Sequence, residues 1–264
     1  MLGDVTFGQY YDARSFMHKV DPRVKILLLI AYITAVFLAK NFLALAAVLF
    51  FLIVAVIFSS VPVGSVLKSI KAIYILIIFT ATLNVLFYVK KEGDTVLFWV
   101  VTKEGLINAA FLASRLILLV TGSSLLTLTT TPVSLTDGLE SLLKPLTFIK
   151  FPVHELALVM SIALRFIPTL ANETDRIMSA QKARGANFDS GNIFKRLKAL
   201  TTIPLLISAF RRADELGDAM DARCYTGSKI RTKYKKLKFS FRDPIAIMFT
   251  AALITGVVLL GIYF

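Results

Sequence analysis

Residues 42–58 run for 17 positions without a charged or hydrogen-bonding side chain. A hydrocarbon core of roughly 30 Å asks a helix for about 20 such residues, with about 17 as the practical minimum. Four more stretches read the same way. Ile26–Ala39 is apolar apart from Thr34, and Lys40-Asn41 separates it from Phe42. A third span runs from about Ala72 to Val89, broken only by Asn84, and a fourth from about Gly105 to Thr129. The last is Pro244–Phe264, where Asp243-Pro244 reads as an N-cap followed by proline at the first helical position. Between them, Ser59–Gly64 and Lys90–Asp94 have the composition of connections, and Trp99 stands where an interfacial aromatic is expected. The expected fold is an all-α integral membrane protein with about five transmembrane helices.

Composition agrees: 56% of residues are hydrophobic, 18% are charged, and the mean hydropathy is +0.74. Little is left for a large soluble core. The single cysteine, Cys224, excludes an intrachain disulfide. Residues 1–25 carry charges throughout and no apolar signal region, so the first span is expected to insert the chain and to stay in place.

The net charge of +13 is distributed unevenly. Lys40, Lys90, Lys91 and Lys103 lie in the loops after the first and third spans. Arg14, Lys19, Arg23, Lys25, Lys68, Lys71 and the cations of residues 130–243 fall on the other side. Positively charged loops mark the cytoplasm. The expected topology is a multi-pass protein of the cytoplasmic membrane, with the N-terminus and residues 130–243 inside and the C-terminus outside. Lys229–Lys238, immediately before a span, reads as a segment drawn to anionic lipid rather than to nucleic acid.

Three regions follow: residues 1–129 with four spans, a cytoplasmic or interfacial region 130–243, and the last span 244–264. The middle region is too polar for ordinary spans. Leu135, Leu139, Leu142, Leu143 and Leu146 make a helical stripe after Thr131-Pro132, disturbed at Lys144-Pro145. From Pro152 a long helix is expected to reach Arg184, with a possible kink at Pro168 and a stop at Gly185; residues 187–192 then read as a turn. Leu200–Phe210 is again apolar and gives way to Arg211, Arg212, Asp214, Glu215, Asp218 and Asp221. The two ends align as Ala180-x-x-Ala183-Arg184-Gly185 and Ala219-x-x-Ala222-Arg223-Cys224. Two helices that begin apolar and end polar, each with an arginine at its tip, form a pseudo-symmetric pair. A guanidinium flanked by small residues can enter a groove and meet a carboxylate in bidentate geometry. A cation placed at a helix C-terminus for the dipole alone would look the same.

The segment Ser161-Ile162-Ala163-Leu164-Arg165-Phe166-Ile167-Pro168-Thr169-Leu170, with Glu173, Arg176-Ile177, Ala180-Gln181 and Ala183-Arg184-Gly185, resembles the longest shared stretch of the transmembrane (T) component of energy-coupling factor (ECF) transporters. These are ABC-type vitamin and metal importers of prokaryotes. Ser15-x-x-His18-x-x-Asp21-Pro22-Arg23-x-Lys25 resembles that family's opening signature, and Asp221-Ala222-Arg223-Cys224-Tyr225-x-Gly227 its second tip. Cys224 departs from the glycine found at the first tip. The resemblance implies a non-catalytic scaffold. Its two coupling helices would dock through Ala183, Arg184, Gly185, Ala222, Arg223 and Cys224 into two ABC-type ATPase subunits. Their membrane face would support a small substrate-binding S component in the lipid bilayer.

Other residues keep two readings. Arg165, with Pro168 beside it, can contact a partner or lipid phosphate. Arg115 inside the fourth span can serve structure or transport. His18 and His154 lie far apart in sequence, so no metal site is expected, and no cofactor. The chain has no Gly-x-x-x-x-Gly-Lys-Ser/Thr loop for a nucleotide, no Gly-x-Ser-x-Gly elbow and no His-Glu-x-x-His helix. The principal rival function is a stand-alone secondary transporter, which would place interrupted or ionisable residues at matching points of paired repeats. An integral-membrane enzyme is the weaker rival, since the acids are spread along amphipathic helices.

Overall fold

A computed structural model describes residues 10–13, 15–87, 96–98, 101–184, 202–227 and 239–263. Among them are eight α-helices: α1 Pro22–Leu38, α2 Phe42–Ser59, α3 Val63–Leu86, α4 Lys103–Thr129, α5 Pro132–Leu143, α6 Val153–Ala183, α7 Thr202–Asp221 and α8 Arg242–Tyr263. A 3-10 turn, Met17–Lys19, precedes α1, and another, Lys144–Ile149, precedes α6. The only strands among the described residues form a small antiparallel ladder, β1 Val96–Phe98 with β2 Val101–Thr102. The fold is that of an all-α integral membrane protein.

Five helices are long and apolar enough to cross a bilayer: α2, α3, α4, α6 and α8. Four of these were expected. The fifth expected span, α1, is a helix of 17 residues, at the lower limit of about 17 for a crossing. The surprise is α6. Averaged over residues 130–243 its region is too polar for a span, yet one 18-residue window of α6 reaches a mean hydropathy of 1.5. Its charges crowd into the C-terminal half, which a regional average does not reveal.

The chain divides into two compact units. One comprises residues 8–142 and 237–264, the other residues 1–7 and 143–236. The boundary between Leu142 and Leu143 groups α5 with α1–α4 and α8.

In the first unit α3 packs along α4, and α8 packs against α1 and α2. The core collects Tyr32, Ala35 and Val36 from α1 and its cap residue Ala39, Ala44, Leu45, Val48 and Leu52 from α2, Leu118 from α4, and Leu253 and Val257 from α8. Small residues such as Ala35, Ala39 and Ala44 let backbones approach, which matters where lipid removes the hydrophobic drive between helices. The Tyr32 hydroxyl donates to Leu118 O at 2.9 Å, and its ring lies over Gly122. A methyl group built there would come within 2.2 Å of Tyr32 Cε1, so glycine is required at that crossing. Ser69 and Ser124 share a hydrogen bond of 2.6 Å between α3 and α4. The outer faces, with Phe50, Ile57 and Ile75 exposed, are apolar as a lipid-facing surface must be.

The Ser15–Lys25 signature is a knot at one end of this bundle. Ser15 Oγ and His18 Nδ1 lie 2.6 Å apart, and His18 Nε2 is 2.8 Å from Tyr11 O. Tyr11 N–H donates to Leu128 O. Asp21 caps α1 by accepting from Arg23 N–H at 2.9 Å, with Pro22 at the first helical position. Lys25, buried, donates to Thr129 O at 2.8 Å and to Thr130 Oγ1 at 3.0 Å, where α4 ends. The last helix starts at Arg242, so Asp243 sits in its first turn rather than capping it from outside. From there its Oδ2 accepts from Ser240 N–H at 2.6 Å and its Oδ1 from Asp21 N–H at 2.9 Å.

Candidate functional site

The second unit is built on the pair α6 and α7, which pack against each other. Pro168 lies inside α6, which continues through it to Ala183. Proline there withdraws one N–H from the helix ladder, and the helix remains continuous across the gap. Glu173 on α6 and Arg212 on α7 approach to 3.5 Å, both partly exposed. A pair in that setting contributes about 0–1 kcal/mol, so it sets alignment more than stability.

Both helices end in an exposed arginine. Arg184 caps α6, its N–H shared between Ala180 O and Gln181 O, each at 3.2 Å. Ala183 and Arg184 are exposed; Gly185, the third residue of that tip, lies outside the described residues, as do the turn at 187–192, Trp99 and the Lys229–Lys238 cluster.

The second tip is closed by a Schellman motif. Tyr225 N–H reaches Met220 O at 3.0 Å and Cys224 N–H reaches Asp221 O at 2.8 Å, the paired bonds of that motif. Cys224 has φ 56°, left-handed. Glycine favours that conformation, and the aligned position of the first tip holds Gly185. Ala222, Arg223 and Cys224 are all exposed. The repeat seen in sequence is thus a repeat of helix ends, carried by two packed helices of one unit.

Large apolar side chains are exposed along the same pair: Leu156 and Val159 on α6, and Ile203, Leu206, Ile207 and Phe210 on α7. Such a patch marks a surface for protein or lipid. Arg165 and Pro168, one turn apart on α6, are exposed as well.

Arg115 belongs to the other unit and is differently occupied. Its guanidinium donates to Ala39 O, the carbonyl closing α1, and its Cζ stands 4.7 Å from the centroid of the Phe111 ring. A cation at a helix C-terminus meets the orphan carbonyls and the negative end of the dipole. Sequence reasoning had no carboxylate to pair with Arg115 inside the spans; the partner is backbone. Among the described residues no group of three His, Cys, Asp or Glu side chains could hold a metal ion.

Sequence reasoning missed the roles of Lys25 and Asp243, whose contacts span 104 and 222 positions. Its one usable signal was two Asp-Pro helix starts in a chain of eight prolines.

Residues 13–234 match the family described as cobalt transport protein. The chain is 49% identical over 259 residues to the energy-coupling factor transporter transmembrane protein EcfT of Clostridium kluyveri, covering 96% of each. The protein of that name from Ruminiclostridium cellulolyticum is 46% identical over 269 residues, covering 100% of each. That from Bacillus subtilis is 43% identical over 253 residues, covering 94% of this chain and 95% of the relative. With this agreement along nearly its whole length, the chain belongs to the family of energy-coupling factor transporter transmembrane components.

Proposed function

We propose that this chain is the non-catalytic scaffold of an ECF-type importer, transmitting ATP hydrolysis by two cytosolic ATPase subunits to a separate membrane-embedded S component. The observation that carries the proposal is the pair of exposed arginine tips on α6 and α7. Arg184 and Arg223 dock into two related ATPase subunits, one tip to each. Ala183 and Ala222 leave room around the guanidinium, and Cys224, in its left-handed conformation, turns the chain away behind the second tip. A two-tipped partner suits paired sites related by a pseudo-twofold axis.

On this reading residues 130–243 are the coupling region between membrane portions 1–129 and 244–264. The exposed apolar side chains of α6 and α7 receive the S component, which carries the vitamin or metal ion. ATP-driven closure of the ATPases moves the helix pair, and the S component turns or detaches in response. The N-terminus and the charged ends of the coupling region face the cytoplasm and the C-terminus lies outside, the arrangement that the bias of positive loop charges favours. Arg165, beside Pro168, faces the S component or lipid phosphate.

The test is co-purification. Arg184→Ala combined with Arg223→Ala should strip both ATPases from the affinity-purified chain in mild detergent. Undiminished recovery of the ATPases with the double variant would overturn the docking assignment. The stand-alone transporter loses its leading candidate residue, because Arg115 is spent on the α1 terminus.

A further inference from the structure

Residues 144–152, Lys-Pro-Leu-Thr-Phe-Ile-Lys-Phe-Pro, join α5 to α6 and are exposed at every position. They belong to the unit of α6 and α7. Phe148 and Ile149 stand 91% and 81% exposed, with Leu146 and Phe151 exposed as well. Four large apolar side chains within six residues, presented by a turn rather than a helix face, mark a surface that meets an apolar medium.

The backbone beneath them is closed on itself. The 3-10 turn Lys144–Ile149 is followed by Lys150 in the left-handed conformation, φ 59°. Lys150 N–H donates to Thr147 O at 3.1 Å and Phe151 N–H to Leu146 O at 3.4 Å, the same paired bonds that end α7. Thr147 Oγ1 donates to Lys144 O at 2.7 Å, and Val153 N–H to Phe151 O at 2.8 Å. Pro145 and Pro152 have no N–H to satisfy. A protein partner can complete open main-chain groups; hydrocarbon cannot, so a segment entering lipid must close its own.

Charge selects the kind of lipid. Lys144 and Lys150 bracket Phe148 and Ile149, and the nine residues hold no acid. The nearest acids in sequence, Glu140 and Glu155, stand four positions before Lys144 and five after Lys150. Among the described residues no ion pair joins either lysine to a carboxylate. A lysine stem lies along apolar surface while its ammonium stays at the polar rim. Apolar side chains set between two such cations match a leaflet of acyl chains under anionic phosphates. A wholly apolar protein face offers the ammonium groups no counter-charge.

Length decides the side of the membrane. Helix α5 has 12 residues, too few to cross a hydrocarbon core that asks for about 17 or more. Residues 144–152 therefore lie on the side where α4 ends, the cytoplasmic side in the orientation proposed above.

We propose that residues 144–152 are an interfacial anchor: Phe148 and Ile149 enter the adjacent leaflet, and Lys144 and Lys150 hold anionic phospholipid headgroups at its surface. The anchor keeps the start of α6 at the bilayer, so that movement of the helix pair is referred to a point held in the membrane. Its leaflet rests on the proposed orientation, and its attachment is independent of the arginine tips.

The full-length chain with Trp99→Phe and Phe148→Trp carries one tryptophan, set in the turn. It is reconstituted alone, without ATPases or S component, in nanodiscs of phosphatidylcholine with or without phosphatidylglycerol. The quenchers are lipid brominated near the glycerol, lipid brominated near the acyl terminus, and aqueous acrylamide. The shallow bromolipid should quench several-fold more than the deep one, and acrylamide several-fold less than it quenches free tryptophan amide. Phosphatidylglycerol should strengthen the bromolipid quenching, and Lys144→Gln with Lys150→Gln should remove that gain. Full acrylamide quenching without bromolipid quenching would place the turn in water and overturn the anchor. Protection from acrylamide that arises only in the complex purified from its native membrane would overturn it in favour of a protein surface. Equal bromolipid quenching with and without phosphatidylglycerol would overturn the role given to the two lysines. With no ATPase present, failure of the arginine tips to dock cannot produce any of these results.

Discussion

The carboxylate of Asp243 accepts a hydrogen bond of 2.9 Å from the backbone N–H of Asp21, 222 positions earlier. The second oxygen accepts from Ser240 N–H at 2.6 Å. One fully buried side chain therefore satisfies the backbone ahead of two helices, α1 and α8, and fixes the start of the first membrane helix against the start of the last. Hydrogen bonds to a charged group contribute about 1.5–3 kcal/mol, and a buried N–H left without its acceptor costs about as much again. Asp243→Ala should lower stability by about 3 kcal/mol or more on that scale. Asp243→Asn keeps a single acceptor and should lose less. Thermal unfolding of the detergent-solubilised chain would check the order; an alanine variant as stable as the parent would show that the contact does not hold the two helices.

Gly122 makes a prediction of opposite physical kind, an excess of matter rather than a missing partner. A methyl group there falls 2.2 Å from Tyr32 Cε1, and the ring is held by its bond to Leu118 O and by stacking on Phe51. Overpacking typically costs about 1–3 kcal/mol. Gly122→Ala should lower the unfolding temperature, and combining it with Tyr32→Leu should recover part of the loss. Strict additivity in that double-mutant cycle would mean the clash is relieved elsewhere.

The sequence carried different parts of this protein unequally. Uncharged runs such as Phe42–Phe58 specify a membrane helix locally, because lipid demands that a segment satisfy its own backbone. The alternation of apolar and charged halves in α6 and α7 was legible for the same reason: helical periodicity is a local property. The tips were legible as a repeat, but the geometry behind them was not. That Cys224 takes a left-handed conformation follows from bonds to Met220 and Asp221, and cysteine gives no compositional hint of it. Asp243 read as the N-cap of its own helix and Lys25 as one residue of the Ser15–Lys25 signature, since nothing local announces a partner more than 100 positions away. The crossing ability of α6 was obscured by averaging its charged C-terminal half with the rest.

Arg115 distinguishes structure from transport. Because its guanidinium donates to Ala39 O and stands over Phe111, Arg115→Met should destabilise the bundle. Losing a charge-assisted bond suggests about 1.5–3 kcal/mol. Substrate uptake per correctly folded complex should be unchanged. A variant that folds normally yet abolishes uptake would return Arg115 to the transport path.

Cys224 tests whether the second tip is strained. A non-glycine residue in the left-handed region costs roughly 1–2 kcal/mol. Cys224→Gly should therefore raise local stability by about 1 kcal/mol while leaving ATPase recovery intact. Cys224→Val, with a β-branched side chain in that conformation, should fray the end of α7. Hydrogen exchange at Cys224 and Tyr225, whose N–H groups close the motif, would register both changes. Faster exchange in the glycine variant would mean that something other than the backbone conformation holds the tip.

The two arginines make the strongest quantitative demand. If each tip engages its own ATPase, the first contact brings the second to a high effective concentration, and two linked contacts can exceed one alone by about 10²–10⁴ in apparent affinity. Removing one arginine leaves a single anchored contact that still recovers the ATPases at high protein concentration. Removing both leaves none. Titrating ATPase pairs against the reconstituted chain should give graded weakening for Arg184→Ala and Arg223→Ala singly and near-complete loss for the double variant. Lysine at either position keeps the charge but loses the bidentate fork, so it should restore only part of the affinity. A double variant no weaker than the worse single one would mean that one tip carries the whole interface, and the paired geometry of α6 and α7 would then need another explanation.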